Sequence, residues 1–478
     1  MMKRHMIIAL AGPAAAFCAM PAMAQHIQTL GVDENCTAVG GACTALEPSL
    51  GSYYGNPSAI ADFRRPILGI NLRAIDTTNL DLKDTAGNHD IPRTNTKGKY
   101  AVAPTLAVYV PVAHNITVGL GVGAPFAITA DWTNDSGMHR YNMSDQALFI
   151  LDISPTIGIR LTDRLTVGAS ASITAFRHLR TQTLIPDSFG AALPPTLGGA
   201  GTIIPTTPTS PIIGSITLNT KHDFHIGLPP DNLEAAFDSV AGVFGLQYKI
   251  SDTVTFGLVA RTRTKNTFHG TAHLVVGGLA QTTPFSLRLD MPGHIQAGVA
   301  AKLTPRLTVS ADYQRTFWSD AIGLGSPAVI KFQSPLLGFI NKLKVDYKAR
   351  DTSTARAGIQ YDLSSKIRLM GGYTYHQTAY PKDRVDILTY DSNRHIFAGG
   401  LRYDMRKDPA QSGLILTGSF QWVQYEKRHF DTGESANLGG LSLPALSAPD
   451  TLTFTSNRTP YSFGGNIQAL SMAVQYVF

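Results

Sequence analysis

The last thirteen residues, Asn466 to Phe478, constrain the fold more than any other stretch of the chain. Taken alternately, one set is Leu470, Met472, Val474, Tyr476 and Phe478, and the other is Ala469, Ser471, Ala473, Gln475 and Val477. Successive side chains of a strand point to opposite faces, so this segment has one large apolar face and one mostly small or polar face. A strand of a soluble sandwich shows the same alternation. The segment also has the roughly 9–11 residues that a membrane-crossing strand needs, with aromatics where an interface would lie. It finishes on an aromatic residue with no polar tail, and so reads as the closing strand of an outer-membrane β-barrel.

The opposite end supplies the address. Lys3, Arg4 and His5 form a basic cluster, Met6 to Met20 form an apolar run, and Ala22-Met23-Ala24 is a small-x-small cleavage pattern. Residues 1–24 are therefore expected to be a signal peptide, with the mature chain starting at Gln25. The run is too short to span a bilayer as a helix, and no later stretch reaches about 18 uncharged apolar residues. Export without a helical anchor is expected.

Composition agrees with a barrel without excluding a secreted β-protein. The formal net charge of +6 falls to +4 when Lys3 and Arg4 leave, and no Lys/Arg cluster points to a nucleic-acid partner. Only 15% of residues are charged, glycines number 44, and the mean hydropathy of +0.01 suits polar lumen residues alternating with apolar lipid-facing ones. Cys18 departs with the signal, leaving Cys36 and Cys43. In an oxidising periplasm these form one small disulfide or stay as two free thiols; the spacing is compatible with both.

Residues 25–63 lack sustained alternation and carry Asp33, Glu34, Glu47, Pro48, Gly51 and the pair Gly40-Gly41. Ahead of a barrel, such a segment either stays in the periplasm or plugs the lumen. From residue 64 to 478 alternating runs recur. Fourteen strands are expected, at Pro66–Thr77, Lys99–Val112, Asn115–Ile128, Ala147–Leu161, Arg164–Arg177, Phe237–Ile250 and Thr253–Phe268, then at His294–Leu303, Arg306–Trp318, Thr352–Leu363, Lys366–Gln377, His395–Met405, Gly413–Gln424 and Asn466–Phe478. Two-residue turns (Thr162-Asp163, Ser251-Asp252, Thr304-Pro305, Ser364-Ser365) alternate with long connections such as Thr181–Ala236, Ser319–Asp351 and Tyr425–Gly465. Short turns on one side, long loops on the other and an even strand count are the pattern of a bacterial outer-membrane barrel with both ends in the periplasm.

Several motifs occur in an order that resembles a known family. Val39-Gly-Gly-Ala-Cys-Thr-Ala45 followed by Tyr54-Gly-Asn-Pro-Ser-Ala59 resembles the N-terminal hatch of the FadL/TodX family of outer-membrane transporters for long-chain fatty acids and hydrophobic compounds, with Ser58 in place of the alanine of Asn-Pro-Ala. Met291-Pro-Gly-His-Ile-Gln-Ala-Gly-Val299 leading to Ala311-Asp-Tyr-Gln-Arg-Thr-Phe-Trp-Ser319 is similar to a strand pair of that family, as is Asp391-Ser-Asn-Arg394 with Gly399-Gly-Leu-Arg-Tyr403 to another strand. The resemblance implies an all-β, fourteen-stranded transmembrane antiparallel barrel. Its hatch, residues 25–63, plugs the lumen, with Gly40, Gly41, Asn56 and Pro57 in it, and a kinked third strand lets ligands leave sideways into the membrane.

Two stretches of the sequence bear on that expectation. Gly119-Leu-Gly-Val-Gly-Ala-Pro-Phe126 places Gly121, Gly123 and Pro125 on the third strand, where they either bend it or merely end it beside a loop. Loop Thr181–Ala236 carries Leu184, Ile185, Phe189, Leu193, Ile212 and Ile213 among Gly, Pro and Thr, which suits a groove that captures an apolar ligand, a self-packed lid, or both. No Gly-x-Ser-x-Gly elbow or cysteine-rich ligand set occurs, so no catalytic, metal or cofactor residue is assigned; His222 and His225 share a loop and read as solvated. Two function classes remain. One is passive uptake of long-chain fatty acids or other hydrophobic small molecules by a monomer whose partners are outer-membrane lipid and the barrel assembly machinery. The other is a general porin or a structural barrel. Deleting Phe478 should lower the level of folded, heat-modifiable barrel several-fold, because the terminal aromatic strand is the expected assembly signal; normal levels would remove that role.

Overall fold

The computed structural model describes residues 32–84, 101–131, 145–187, 211–220, 223–224, 239–336, 340–345, 347–381, 391–408, 410–431 and 460–478. The expected signal peptide lies outside them. The strands in chain order begin with β1 (Ile67–Asp84), β2 (Ala101–Ala113), β3 (Ile116–Asp131), β4 (Asp145–Arg160) and β5 (Leu165–Pro186). They continue with β6 (Ile212–Thr220), β7 (Asp223–Phe224), β8 (Val240–Lys249), β9 (Val254–Arg261) and β10 (Thr267–Val276). Next come β11 (Leu279–Arg288), β12 (Gly293–Thr304), β13 (Leu307–Phe317), β14 (Ala328–Leu336) and β15 (Ile340–Val345). The last are β16 (Thr352–Asp362), β17 (Ile367–His376), β18 (Arg394–Asp404), β19 (Gly413–Asp431) and β20 (Pro460–Val477).

Fourteen of these form a closed antiparallel barrel in the order β1–β2–β3–β4–β5–β8–β9–β12–β13–β16–β17–β18–β19–β20. Strand β20 returns to β1, pairing from Ile67–Val477 out to Asp84–Tyr461 with one offset between Asp76 and Asn79, so this ring has no edge. The alternation explains the two faces. Leu68, Ile70 and Leu72 of β1 and Leu470, Met472, Val474 and Tyr476 of β20 are exposed, as lipid-facing residues are, while Asn71, Arg73, Ser471 and Gln475 between them are buried inside. Among the described residues, no helix is long and apolar enough to cross a membrane.

Each of the fourteen expected strands coincides with a barrel strand. The expected strand Thr253–Phe268 runs too far: β9 ends at Arg261 and Thr267 already belongs to β10. Alternation continues through the change of partner, so a period-2 pattern is blind to it. The loops Thr181–Ala236 and Ser319–Asp351 also contain more structure than expected. The outer half of β5 pairs with β6, and pairing continues through β10, β11, β14 and β15, building a second sheet above the barrel on the long-loop side.

Residues 32–63 lie inside the ring. Helix α1 (Glu34–Ala38) is capped by the Asp33 carboxylate, and 3-10 turns span Leu50–Tyr53 and Pro57–Asp62. Inward-facing glycines let this segment approach the wall at backbone distance. A Cβ on Gly168 would lie 2.4 Å from the Pro57 carbonyl carbon, and one on Gly372 would lie 2.1 Å from that of Val39. Gly69, Gly245, Gly257 and Gly358 make the same kind of room for Leu50, Asn56, Thr44 and Val39. Gly372→Val should therefore weaken docking of residues 32–63 by about 1–3 kcal/mol, as overpacking does. Faster proteolysis of that segment in a barrel that remains heat-modifiable is the expected result; unchanged protection would show that the segment does not depend on this contact.

Candidate functional site

The Asn-Pro motif is a bracket between the segment and the wall. Asn56 caps the Pro57 turn, its Oδ1 accepting from the Ser58 backbone N–H at 3.1 Å and the Ser58 hydroxyl at 2.7 Å. The serine thus gives the motif's asparagine an additional donor. The Asn56 amide nitrogen donates to the Thr44 carbonyl at 2.7 Å and to Leu246 of β8 at 3.3 Å. Gln247 donates to the same Thr44 carbonyl and to that of Leu46. Across the barrel, the Thr44 backbone N–H and hydroxyl donate to the Asp312 carboxylate of β13 at 2.9 and 2.6 Å.

Gly40 and Gly41 both have positive φ, 64° and 80°, where a side chain would be strained, and they turn the chain between Cys36 and Cys43. Those two cysteines are bonded, with Cα atoms 5.4 Å apart. The Thr374 hydroxyl of β17 donates to the Gly40 carbonyl, and the buried Arg73 guanidinium of β1 donates to the Thr37 hydroxyl and to Ser471. Glu34 is fully buried next to Asp33 and accepts from Gln475 at 2.7 Å. Burial, reinforced by the Asp33 charge, pushes its carboxyl up to about 8.

The third-strand residues have two different roles in the geometry. The ring of Tyr53 fills the space over Gly121 and Gly123: a Cβ on either would lie 2.2 Å from a Tyr53 atom. These glycines are the seat of the N-terminal segment. The offset in the ladder comes one step later. Strand β3 pairs with β4 through Gly123–Asp152 and resumes at Phe126–Ile150, so Ala124 and Pro125 together oppose Leu151 alone. Among the described residues, the register between β2 and β3 extends outward only to Thr105–Gly123.

Above this offset lies an apolar cluster shared by the barrel wall and the outer strands. Phe126, Leu148 and Ile150 on the barrel wall join Ile185, Ile216, Leu218, Leu274, Phe332 and Tyr380 in one buried cluster. Of the expected capture residues, Leu184 and Ile185 belong to β5, and Ile185 is fully buried in this cluster. Ile212 and Ile213 start β6, with Ile212 exposed and Ile213 packed on the cluster. Phe189, Leu193, His222 and His225 fall outside the described residues.

Arg261 of β9 lies where this apolar cluster meets the polar lumen. Its Nη2 donates to Asp152 and Ser172, and its guanidinium lies 4.7 Å from the Tyr54 ring centre and 5.8 Å from that of Phe126. Among the described residues, its Nε and Nη1 have no acceptor. Sequence reasoning missed Tyr53, Glu34, Arg73 and Arg261. Only Arg73 had a legible signal, since it falls on the lumen phase of β1 between Leu72 and Ala74. The elevated Glu34 value has a pH consequence: docking of residues 32–63 is tightest below the ordinary glutamate value and weakens as pH rises through about 8, because only the neutral carboxyl is at home there. Hydrogen exchange across that range should show falling protection in the wild type and a flatter profile in Glu34→Gln; identical slopes would remove Glu34 from the docking equilibrium.

Comparison with known proteins fits this geometry. A family model for outer membrane protein transport proteins (OMPP1/FadL/TodX) matches residues 14–411. No curated relative matches. Among solved structures, a Pseudomonas aeruginosa FadL homologue superposes with a TM-score of 0.72 at 16% identity, covering 95% of this chain and all of its own. The Ralstonia pickettii toluene transporter TbuX gives 0.62 at 19% identity, with 94% and 99% covered, and the P. putida toluene transporter TodX gives 0.63 at 17%, with the same coverage. Fourteen closed strands and a match over most of the chain lead to one conclusion: the protein belongs to the OMPP1/FadL/TodX family of outer membrane transport proteins.

Proposed function

We propose that the protein takes up hydrophobic small molecules passively, by capture in the outer sheet, passage through an apolar chamber lined by this cluster and sideways exit at the third strand. The observation that carries this reading is the continuity of the apolar cluster. The same buried cluster includes Ile216 and Phe332 of the outer sheet and Phe126 and Ile150, the first pair beyond the β3 offset. An apolar ligand gains roughly 25 cal/mol for each Å² it buries, so such a lining draws it inward without an energy source. The chamber leads to the wall, whereas the axis below it is occupied by residues 32–63. These residues serve as the hatch, with Asn56 and Pro57 bracing it and the Gly40-Gly41 turn held by the Cys36–Cys43 bond. Ligands of this kind include long-chain fatty acids and aromatic hydrocarbons; TbuX and TodX, of the same fold, are toluene transporters.

Valines at 121 and 123 would strike Tyr53 and disturb the hatch as well as the strand, so a cleaner test deletes Pro125 alone. That removes the extra residue of β3 and lets its register with β4 run unbroken. Uptake of oleate and of toluene by cells should fall several-fold, while binding of oleate to the purified protein stays near wild type. Undiminished uptake would put the exit elsewhere.

A further inference from the structure

Two cavities with arginines on their linings flank the N-terminal segment. One, of about 160 Å³, faces the chamber side among His294, Arg356 and Arg394. The other, of about 400 Å³, opens on the short-turn side beside Arg65, Arg402 and Arg406. Cys36, Cys43, Glu47 and Ser49 line both, so at this point the partition is one thickness of chain, closed by the disulfide.

Both cavities favour negative charge. Arg394 is buried and, among the described residues, its Nε and Nη1 have no acceptor, nor does Nη1 of Arg356. The carboxylates on the linings are already engaged: Asp33 accepts from Asn35, Cys36 and Gly51, Glu47 pairs with Arg368, and Asp62 pairs with Arg160. Guanidinium groups with spare donors in a low-dielectric lumen attract anions strongly. We propose that the disulfide-closed loop 36–43 is the shutter of a second, axial route, and that releasing the clasp joins the two cavities into a path for small anions between the lumen and the periplasm. This route is separate from the apolar one and does not rest on it, since it uses none of the chamber residues.

The test is conductance in planar bilayers under a potassium chloride gradient. Oxidised wild type should be silent. The double variant Cys36→Ser/Cys43→Ser should give discrete steps whose reversal potential lies on the chloride side, and wild type treated with dithiothreitol should behave alike, which covers a variant that folds poorly. Adding Arg356→Gln and Arg394→Gln to the double variant should lower the chloride preference several-fold. The proposal is overturned if oxidised wild type conducts equally, if both opened forms stay silent while heat-modifiable, if potassium is preferred, or if the arginine changes leave selectivity unaltered.

Discussion

In hydrocarbon, no water is available to satisfy a peptide N–H or carbonyl, so a wall built of strands has to close on itself. The pairing of β20 with β1 meets that demand here, and most other features follow from it. Closure fixes which residues face lipid and which face inward. The outward set is large and apolar, and the inward set is small, polar or charged. An interior lined with glycine, serine, threonine and glutamine cannot fill itself with side chains. It accepts a piece of the chain's own backbone, and residues 32–63 supply it.

That arrangement makes the interior polar in one part and apolar in another. Around the segment the contacts are hydrogen bonds between wall and backbone, with Asp312, Gln247, Thr374 and Arg73 each reaching a main-chain or hydroxyl partner. Above it, on the long-loop side, the second sheet turns an apolar face inward and extends the barrel lining upward. Arg261 and Tyr54 meet Phe126 at the border. On the route proposed above, an apolar solute reaching this border would have water-seeking groups below it and the interrupted β3 ladder beside it.

The barrel was legible because its signal is local. Alternation over ten residues survives any error in loop placement, and turns such as Thr162-Asp163 mark the short side. The outer sheet was not legible in the same way. Strand β10 follows β9 in phase after a few residues, and β6 sits in Gly-, Pro- and Thr-rich sequence whose apolar residues alone suggested a loop that binds something. The site divides similarly. Asn56, Pro57 and the third-strand glycines stood out as motifs, yet the role of Gly121 and Gly123 depends on Tyr53, nearly seventy residues earlier, and no pattern in sequence announces that contact. Arg261 and Glu34 acquire their significance only from what surrounds them.

The central claim, delivery through the chamber to the barrel wall, is tested most directly by photo-crosslinking. A fatty acid bearing a diazirine at its alkyl end, bound to the protein in lipid nanodiscs and irradiated, labels whatever lines its path. Lateral delivery predicts adducts on Ile216, Phe126 and Ile150, with labelling at the β3 offset reduced by excess oleate. Adducts confined to Arg356, Arg394 and residues of the N-terminal segment, with none on the chamber wall, would contradict it.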